Sequence, residues 1–158
     1  MIKLLKFGEE DFQLLKSWIK SDEELIQFAG AIFSFPLTDE QLVKYINTNH
    51  FKPFKIVLLE TNEVIGHCEL NFENGNRRLS RILIGNKNLR GKNIGEAIVK
   101  EMLNLLFDYY PNTTQVDLNV FDWNKPAIRC YEKVGFSINQ NNTKEIIVNG
   151  KTWKAINM

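Results

Sequence analysis

The residues best suited to chemistry in this chain lie in two stretches. The first is Leu89-Arg90-Gly91-Lys92-Asn93-Ile94-Gly95-Glu96-Ala97, which follows the apolar run Ile82-Leu83-Ile84-Gly85. A short basic loop whose backbone amides lead into a helix is a receptor for phosphate, because unpaired N–H groups and the helix dipole both face the anion. The chain has no Gly-x-x-x-x-Gly-Lys-Ser/Thr and no dinucleotide fingerprint, so the phosphates belong to something other than ATP or NAD. Asn93 also suits the cap of the helix, with Glu96 completing a capping box, and capping is compatible with phosphate contact. The second stretch is Leu118 to Phe136. Asn124 and Tyr131 stand seven positions apart, two helical turns, with Ala127 between them on one face. A small residue there lets a ligand chain run close to the helix while an amide and a phenol face it. A phenol with a pKa of about 10 stays protonated at neutral pH and can donate a proton. Asn124 also suits the N-cap of that helix. Cys130 reads as a small buried apolar residue, since no Cys–His arrangement activates it.

The elements that must position these groups are legible from periodicity. Ile2 to Phe7 reads as a strand and Glu9 to Ile19 as a helix with Phe12, Leu15, Trp18 and Ile19 on one stripe. Asp22 to Phe28 predicts a short helix. Its Asp22, Glu23 and Glu24 favour the helix dipole, an acidic rim for a cationic amine being the alternative. Phe28 to Leu37 is an aromatic loop in which Phe33 and Phe35 are candidates to wall a site, whereas Trp18 reads as core. Thr38, with Gln41 in the capping-box position, opens a helix to Asn47. Phe54–Glu60 and Val64–Phe72 predict a hairpin, and Arg78–Gly85 a further strand. The loop then leads into a helix bearing Ile94, Ala97, Ile98, Met102, Leu105, Leu106 and Tyr109, ended by Pro111. Gln115–Phe121 predicts a strand and Lys125–Lys133 a helix stopped by Gly135. Phe136–Asn139 and Lys144–Ile156 predict strands around a polar turn at Asn139–Asn142, the second bent at Asn149-Gly150. Hairpins interrupted by helices predict a mixed, largely antiparallel α/β sheet with flanking helices.

Composition limits the functional classes. The 158 residues suit one domain, 1–158, and the net charge of +1 with 25% charged residues offers no stripe for nucleic acid or an anionic membrane. Cys68 and Cys130 form no CxxC pair, so neither a disulfide framework nor a metal site is expected and a cytoplasmic location is. The start of the chain is broken by lysine and lacks a signal-peptide pattern, and no apolar run is long enough to span a bilayer.

The first stretch resembles the pyrophosphate motif Gln/Arg-x-x-Gly-x-Gly/Ala of the GNAT superfamily of acyl-CoA-dependent N-acyltransferases. It is matched by Arg90, then Gly91-Lys92, Asn93 in place of the first motif glycine, Ile94 and Gly95. Asn tolerates left-handed backbone angles better than other non-glycine residues. The second stretch resembles the family's Asn, two residues, Ala, three residues, Tyr, then Gly-Phe, here Asn124, Ala127, Tyr131 and Gly135-Phe136. The resemblance implies a sheet splayed open beside the phosphate loop, holding acetyl-CoA as co-substrate. It implies transfer of the acetyl group to a primary amine, and because the sequence shows no covalent nucleophile the expected course is direct attack in a ternary complex. By the same resemblance Tyr131 is the general acid for the departing thiolate. The co-substrate would be bound by Ile82, Leu83, Ile84, Arg90, Gly91, Lys92, Asn93, Ile94, Gly95, Glu96, Asn119, Asn124, Ala127 and Tyr131. A β-bulge in the strand at Ile82–Ile84 would free backbone groups for the pantetheine arm and the thioester carbonyl. Glu69, acting through a water, is the candidate base, with His67 on the same strand face. A peptide N-terminus, a small amine or polyamine, and an amino sugar all remain open as acceptors, as do a monomer and a homodimer. A non-catalytic acyl-CoA-binding module of the same fold is the rival reading.

Overall fold

The computed structural model describes residues 1–158. Seven strands form one sheet: β1 (Ile2–Lys6), β2 (Phe51–Leu58), β3 (Val64–Asn71), β4 (Arg78–Ile84), β5 (Asp117–Phe121), β6 (Asn139–Val148) and β7 (Lys151–Asn157), in the order β1-β2-β3-β4-β5-β7-β6. The helices are α1 (Phe12–Trp18), α2 (Asp22–Ala29), α3 (Asp39–Ile46), α4 (Ile94–Tyr109) and α5 (Lys125–Val134). Every neighbouring strand pair is antiparallel except β4 with β5. This is the mixed, largely antiparallel α/β class expected from the hairpin pattern. No helix is long and apolar enough to cross a membrane.

The parallel pair makes the opening. β4 and β5 are in register only at Arg78 with Asp117 and Leu79 with Leu118. Beyond that point they part. From Asn119 to Phe121, β5 pairs with β7 instead, and β4 from Ser80 to Ile84 has β3 on one side and no strand on the other. Side chains tie the vertex. Arg78 donates through Nε and Nη2 to the two Asp117 oxygens at 3.0 and 2.8 Å. Asn157 Nδ2 donates to Asp117 Oδ2 at 3.0 Å and to Asn119 Oδ1 at 2.9 Å.

Apolar layers cover both faces. On one, Ile98, Met102 and Leu106 of α4 pack with Ile56, Leu70, Leu79 and Leu118. The other layer gathers Phe7, Phe12, Leu15, Leu25, Phe28, Leu42 and Tyr45 around α1–α3. Alternation along β3 sends Cys68 and Leu70 to the first layer, and His67 and Glu69 toward the second. Burial of each large apolar side chain contributes about 1.5–3 kcal/mol, which fixes the register of the strands that carry them.

Three local expectations are corrected. The segment from Glu9 starts as a 3-10 turn, Glu9–Asp11, and becomes α-helical only at Phe12. Thr38 does cap α3 by accepting from the Gln41 amide at 3.3 Å. The Gln41 side chain, however, bonds Ser34 and the Pro36 carbonyl, fastening the aromatic loop rather than closing a capping box. Finally, Asn139–Asn142 is not a turn between strands, and Phe136–Ile138 is not a strand. The polar residues lie within β6, where the pairing jumps from Asn139↔Asn157 to Thr143↔Ile156. The surplus residues bulge outward with exposed side chains, and the strand continues. The β6–β7 turn is as expected: Asn149 and Gly150 have φ of 49° and 80°, the left-handed pair a tight hairpin needs.

Candidate functional site

The wedge between β4 and β5 contains a cleft of about 950 Å³. Ile82, Leu83 and Ile84 wall it from β4, Asn119 from β5, and Asn124, Ala127 and Tyr131 from α5 and its cap. Arg90, Gly91, Asn93, Gly95 and Glu96 border it from the loop and the first turn of α4. The two stretches singled out in the sequence therefore meet in one cavity.

The loop is shaped for an anion. Gly91 has φ of 76° and Asn93 has φ 61°, ψ 8°, so left-handed residues alternate with ordinary ones as α4 begins. Asn93 stands at the N-cap but its side chain accepts no capping bond. None of the backbone N–H groups from Gly91 to Glu96 donates to a protein acceptor. Such a concave row of donors at a helix start attracts phosphate oxygens. Lys92 is exposed and Ile94 is buried in the core, and neither side chain borders the cleft, so what they offer is backbone. Gly95 brings α4 against α5: a Cβ there would stand 3.0 Å from Cys130 Sγ. Arg90 donates twice to the Ile84 carbonyl, at 3.1 and 2.8 Å, and so ties the loop to the end of β4. Lys87, Arg129 and Lys133 add positive charge to the same cleft. The sequence reading missed them. For Arg129 and Lys133 the signal is the stripe Pro126, Arg129, Lys133 along one face of α5.

On α5, Asn124 Oδ1 accepts from the Ala127 amide at 3.4 Å, so the cap reading is correct, and Asn124 also borders the cleft. Tyr131 sits two turns on. Burial pushes its phenol well above the ordinary value, so it is protonated throughout the neutral range. The cleft thus presents a phosphate-type cradle at one end, a free strand edge along one wall and a proton donor within it.

Residues 14–136 match the model of the acetyltransferase (GNAT) family. This chain belongs to the GNAT family. The L-amino acid N-acetyltransferase AaaT of Escherichia coli (strain K12) is 26% identical over 107 residues, 66% of this chain. That match spans 65% of the length of the Escherichia coli protein. Solved structures share the fold. The aminoglycoside acetyltransferase AAC(6′)-Ib in complex with coenzyme A superposes with a TM-score of 0.72 at 22% identity, over 100% of this chain and 94% of that one. The spermidine N-acetyltransferase from Vibrio cholerae, in complex with CoA and spermine, gives 0.76 at 18% identity, over 99% and 94%.

In this member of the GNAT family the remaining expected residues have different settings. Glu69 is fully buried and does not border the cleft. Its oxygens accept from Arg81 Nη1 at 2.5 and 2.7 Å and from Tyr45 Oη at 2.5 Å. Burial pushes its carboxyl up from the ordinary value, against the pull of Arg81 and Tyr45. Both carboxylate oxygens are thus engaged by side chains of the protein. His67 is also fully buried, edge-on to Phe7 and Phe28, and burial lowers its pKa to about 4. Trp18, read as core, packs against the α1–α3 layer and also borders the cleft together with Phe28. A Cβ at Gly85 would collide with the Trp18 ring, so this glycine makes room for it. Phe33 packs edge-on to Tyr45 in the core and Phe35 is exposed, neither bordering the cleft. Glu24 does border it, with one oxygen accepting from the Lys20 amide at 2.7 Å.

Proposed function

We propose that this chain, working as one unit over residues 1–158, is an acetyl-CoA-dependent N-acetyltransferase acting on a small primary amine. The observation that carries the reading is the meeting, in one cleft, of the unpaired amides of Gly91–Glu96 with the Tyr131 phenol. The residues fit the co-substrate. The loop amides hold its diphosphate, with Arg129, Lys133 and Lys87 compensating the charge. The β4 edge at Ile82–Ile84 pairs with its amide-bearing arm, and Asn119, Asn124 and Ala127 form the opposite wall. Acetyl-CoA supplies an activated acyl carbon and a thiolate leaving group.

The chain's own groups then have distinct tasks. A β4 backbone N–H donates to the acyl oxygen as negative charge develops there. Tyr131 gives its proton to the sulfur as the C–N bond forms and the C–S bond breaks, and regains it from solvent. Cys130 and Ser80 border the cleft, but neither side chain is hydrogen-bonded to a base and burial raises the Cys130 thiol above its ordinary value, so the amine attacks directly within the ternary complex. With Glu69 occupied by Arg81, the amine arrives neutral and its surplus proton passes to water.

Thiol release from acetyl-CoA tests the reading, with a panel holding an amino acid, a polyamine, an aminoglycoside and a peptide with a free N-terminus. At least one amine is expected to support turnover, and Tyr131→Phe to lower kcat by about 10²- to 10⁴-fold while coenzyme A still raises the melting temperature. Binding without thiol release from any amine would leave only an acyl-CoA-binding module.

A further inference from the structure

Arg81 forms the bulge of β4 and is held from several sides. His67 pairs with Leu83 and Glu69 with Ser80, so Cys68 alone opposes both Arg81 and Ile82. Arg81 has φ of 48°, a left-handed angle that strains a residue with a Cβ and persists only when its surroundings enforce it. The enforcement is visible. The guanidinium is clamped by Glu69 at 2.5 and 2.7 Å and lies 4.7 Å from the centre of the Phe51 ring. The Arg81 carbonyl accepts from His67 Nδ1 at 2.9 Å. Glu69 is itself braced by Tyr45. Every contact named here comes from β2, β3 and α3, through residues that do not border the cleft, whereas Arg81 itself does.

A buried ion pair is a poor stabiliser, because desolvation offsets much of its attraction, and its best use is to fix one conformation among several. The conformation fixed here belongs to the strand whose free edge begins at Ile82. We propose that Glu69 is a positioning residue: by clamping the Arg81 side chain it holds the β4 bulge and aims the Ile82–Ile84 edge at the acyl end of the co-substrate. This rests on the reading of the cleft as an acetyl-CoA site. It replaces the role of base for Glu69 with one that acts through Arg81.

Amide NMR and steady-state kinetics separate the possibilities. In the wild type, coenzyme A is expected to shift the amide signals of Ile82, Leu83 and Ile84. In Glu69→Gln that response is expected to weaken, with kcat down about 10- to 100-fold, the KM for the amine unchanged and the acid limb of the kcat/KM pH profile unmoved. Adding Arg81→Gly to Glu69→Gln should recover part of kcat, because glycine takes the left-handed angle without an anchor. If Glu69→Gln does not fold, Arg81→Lys, which keeps a charge but loses the planar guanidinium held against Glu69 and the Phe51 ring, serves with the same readouts. Loss of the acid limb in Glu69→Gln would overturn the proposal in favour of a base. Unchanged kcat together with an unchanged amide response would overturn it in favour of a purely structural pair. Wild-type amides that ignore coenzyme A would remove the acetyl-CoA reading itself, and this inference with it, before any variant is made.

Discussion

At the scale of single residues, the chemistry depends on backbone angles and protonation states that a few side chains can or cannot adopt. Asn93 takes φ of 61° at the entry to α4. Asn93→Gly is expected to keep stability and coenzyme A affinity, whereas Asn93→Ala should cost about 1–2 kcal/mol, read by urea denaturation, and weaken coenzyme A binding in calorimetry. Equal effects of the two substitutions would show that the backbone angle is not what Asn93 provides. Tyr131 makes a second prediction. Burial raises its pKa above the ordinary phenol value, so the donor form persists as pH rises and is lost only beyond that value. The kcat of the wild type is therefore expected to show no descending limb up to about pH 10, where an ordinary phenol would half-ionise. A limb below that pH that disappears in Tyr131→Phe would contradict the assignment. Both residues were legible in the sequence because their signals are local: a loop before a helix, and two side chains spaced by helical turns. The setting of Glu69 was not legible, for the opposite reason. Its partners Arg81 and Tyr45 are 12 and 24 positions away and meet it only across the folded sheet.

At the scale of elements, the wedge depends on where β4 and β5 stop pairing. Asp117 sits one residue before the last joined pair, bonded by Arg78 and Asn157, with the charged side chains of Arg78 and Asp117 about a quarter exposed, 23% and 26%. Removing its carboxylate in Asp117→Ala leaves the donors of two strands unmatched. The expected loss is about 1–3 kcal/mol in denaturant unfolding, with a weaker coenzyme A affinity because the wedge angle is no longer fixed. Destabilisation without any change in affinity would mean that the clamp serves the fold alone. The helices that flank the wedge could be read from apolar periodicity, and α5 from its cap and its glycine stop. The parting of β4 from β5 could not, because no residue pattern records a pairing that does not occur; it came from the family resemblance. The bulge in β6 was hidden as well, since a run of Asn and Gln has the composition of a turn whether or not the strand continues through it.

At the scale of the whole molecule, a near-neutral net charge says nothing of what is buried. His67, Glu69 and Arg81 lie between the sheet and the α1–α3 layer, and His67 makes that layer acid-sensitive. Burial holds the folded His67 neutral down to about pH 4, while in the unfolded chain it takes up a proton near its ordinary 6.5. Between those values the unfolded state binds more protons, so stability conferred at neutral pH is lost as pH falls through the window. The full span corresponds to about 3 kcal/mol. Glu69 works in the opposite sense, because its raised carboxyl lets the folded protein take that proton first. Comparing wild type with His67→Gln isolates the histidine, since glutamine can still donate to the Arg81 carbonyl but cannot titrate. Urea unfolding from pH 7 to pH 4 is expected to show the wild type losing its advantage over His67→Gln by roughly this amount. Direct titration of the folded His67 ring by NMR with a midpoint near its ordinary value would sink the prediction, and with it the view that this layer stays closed to protons at neutral pH.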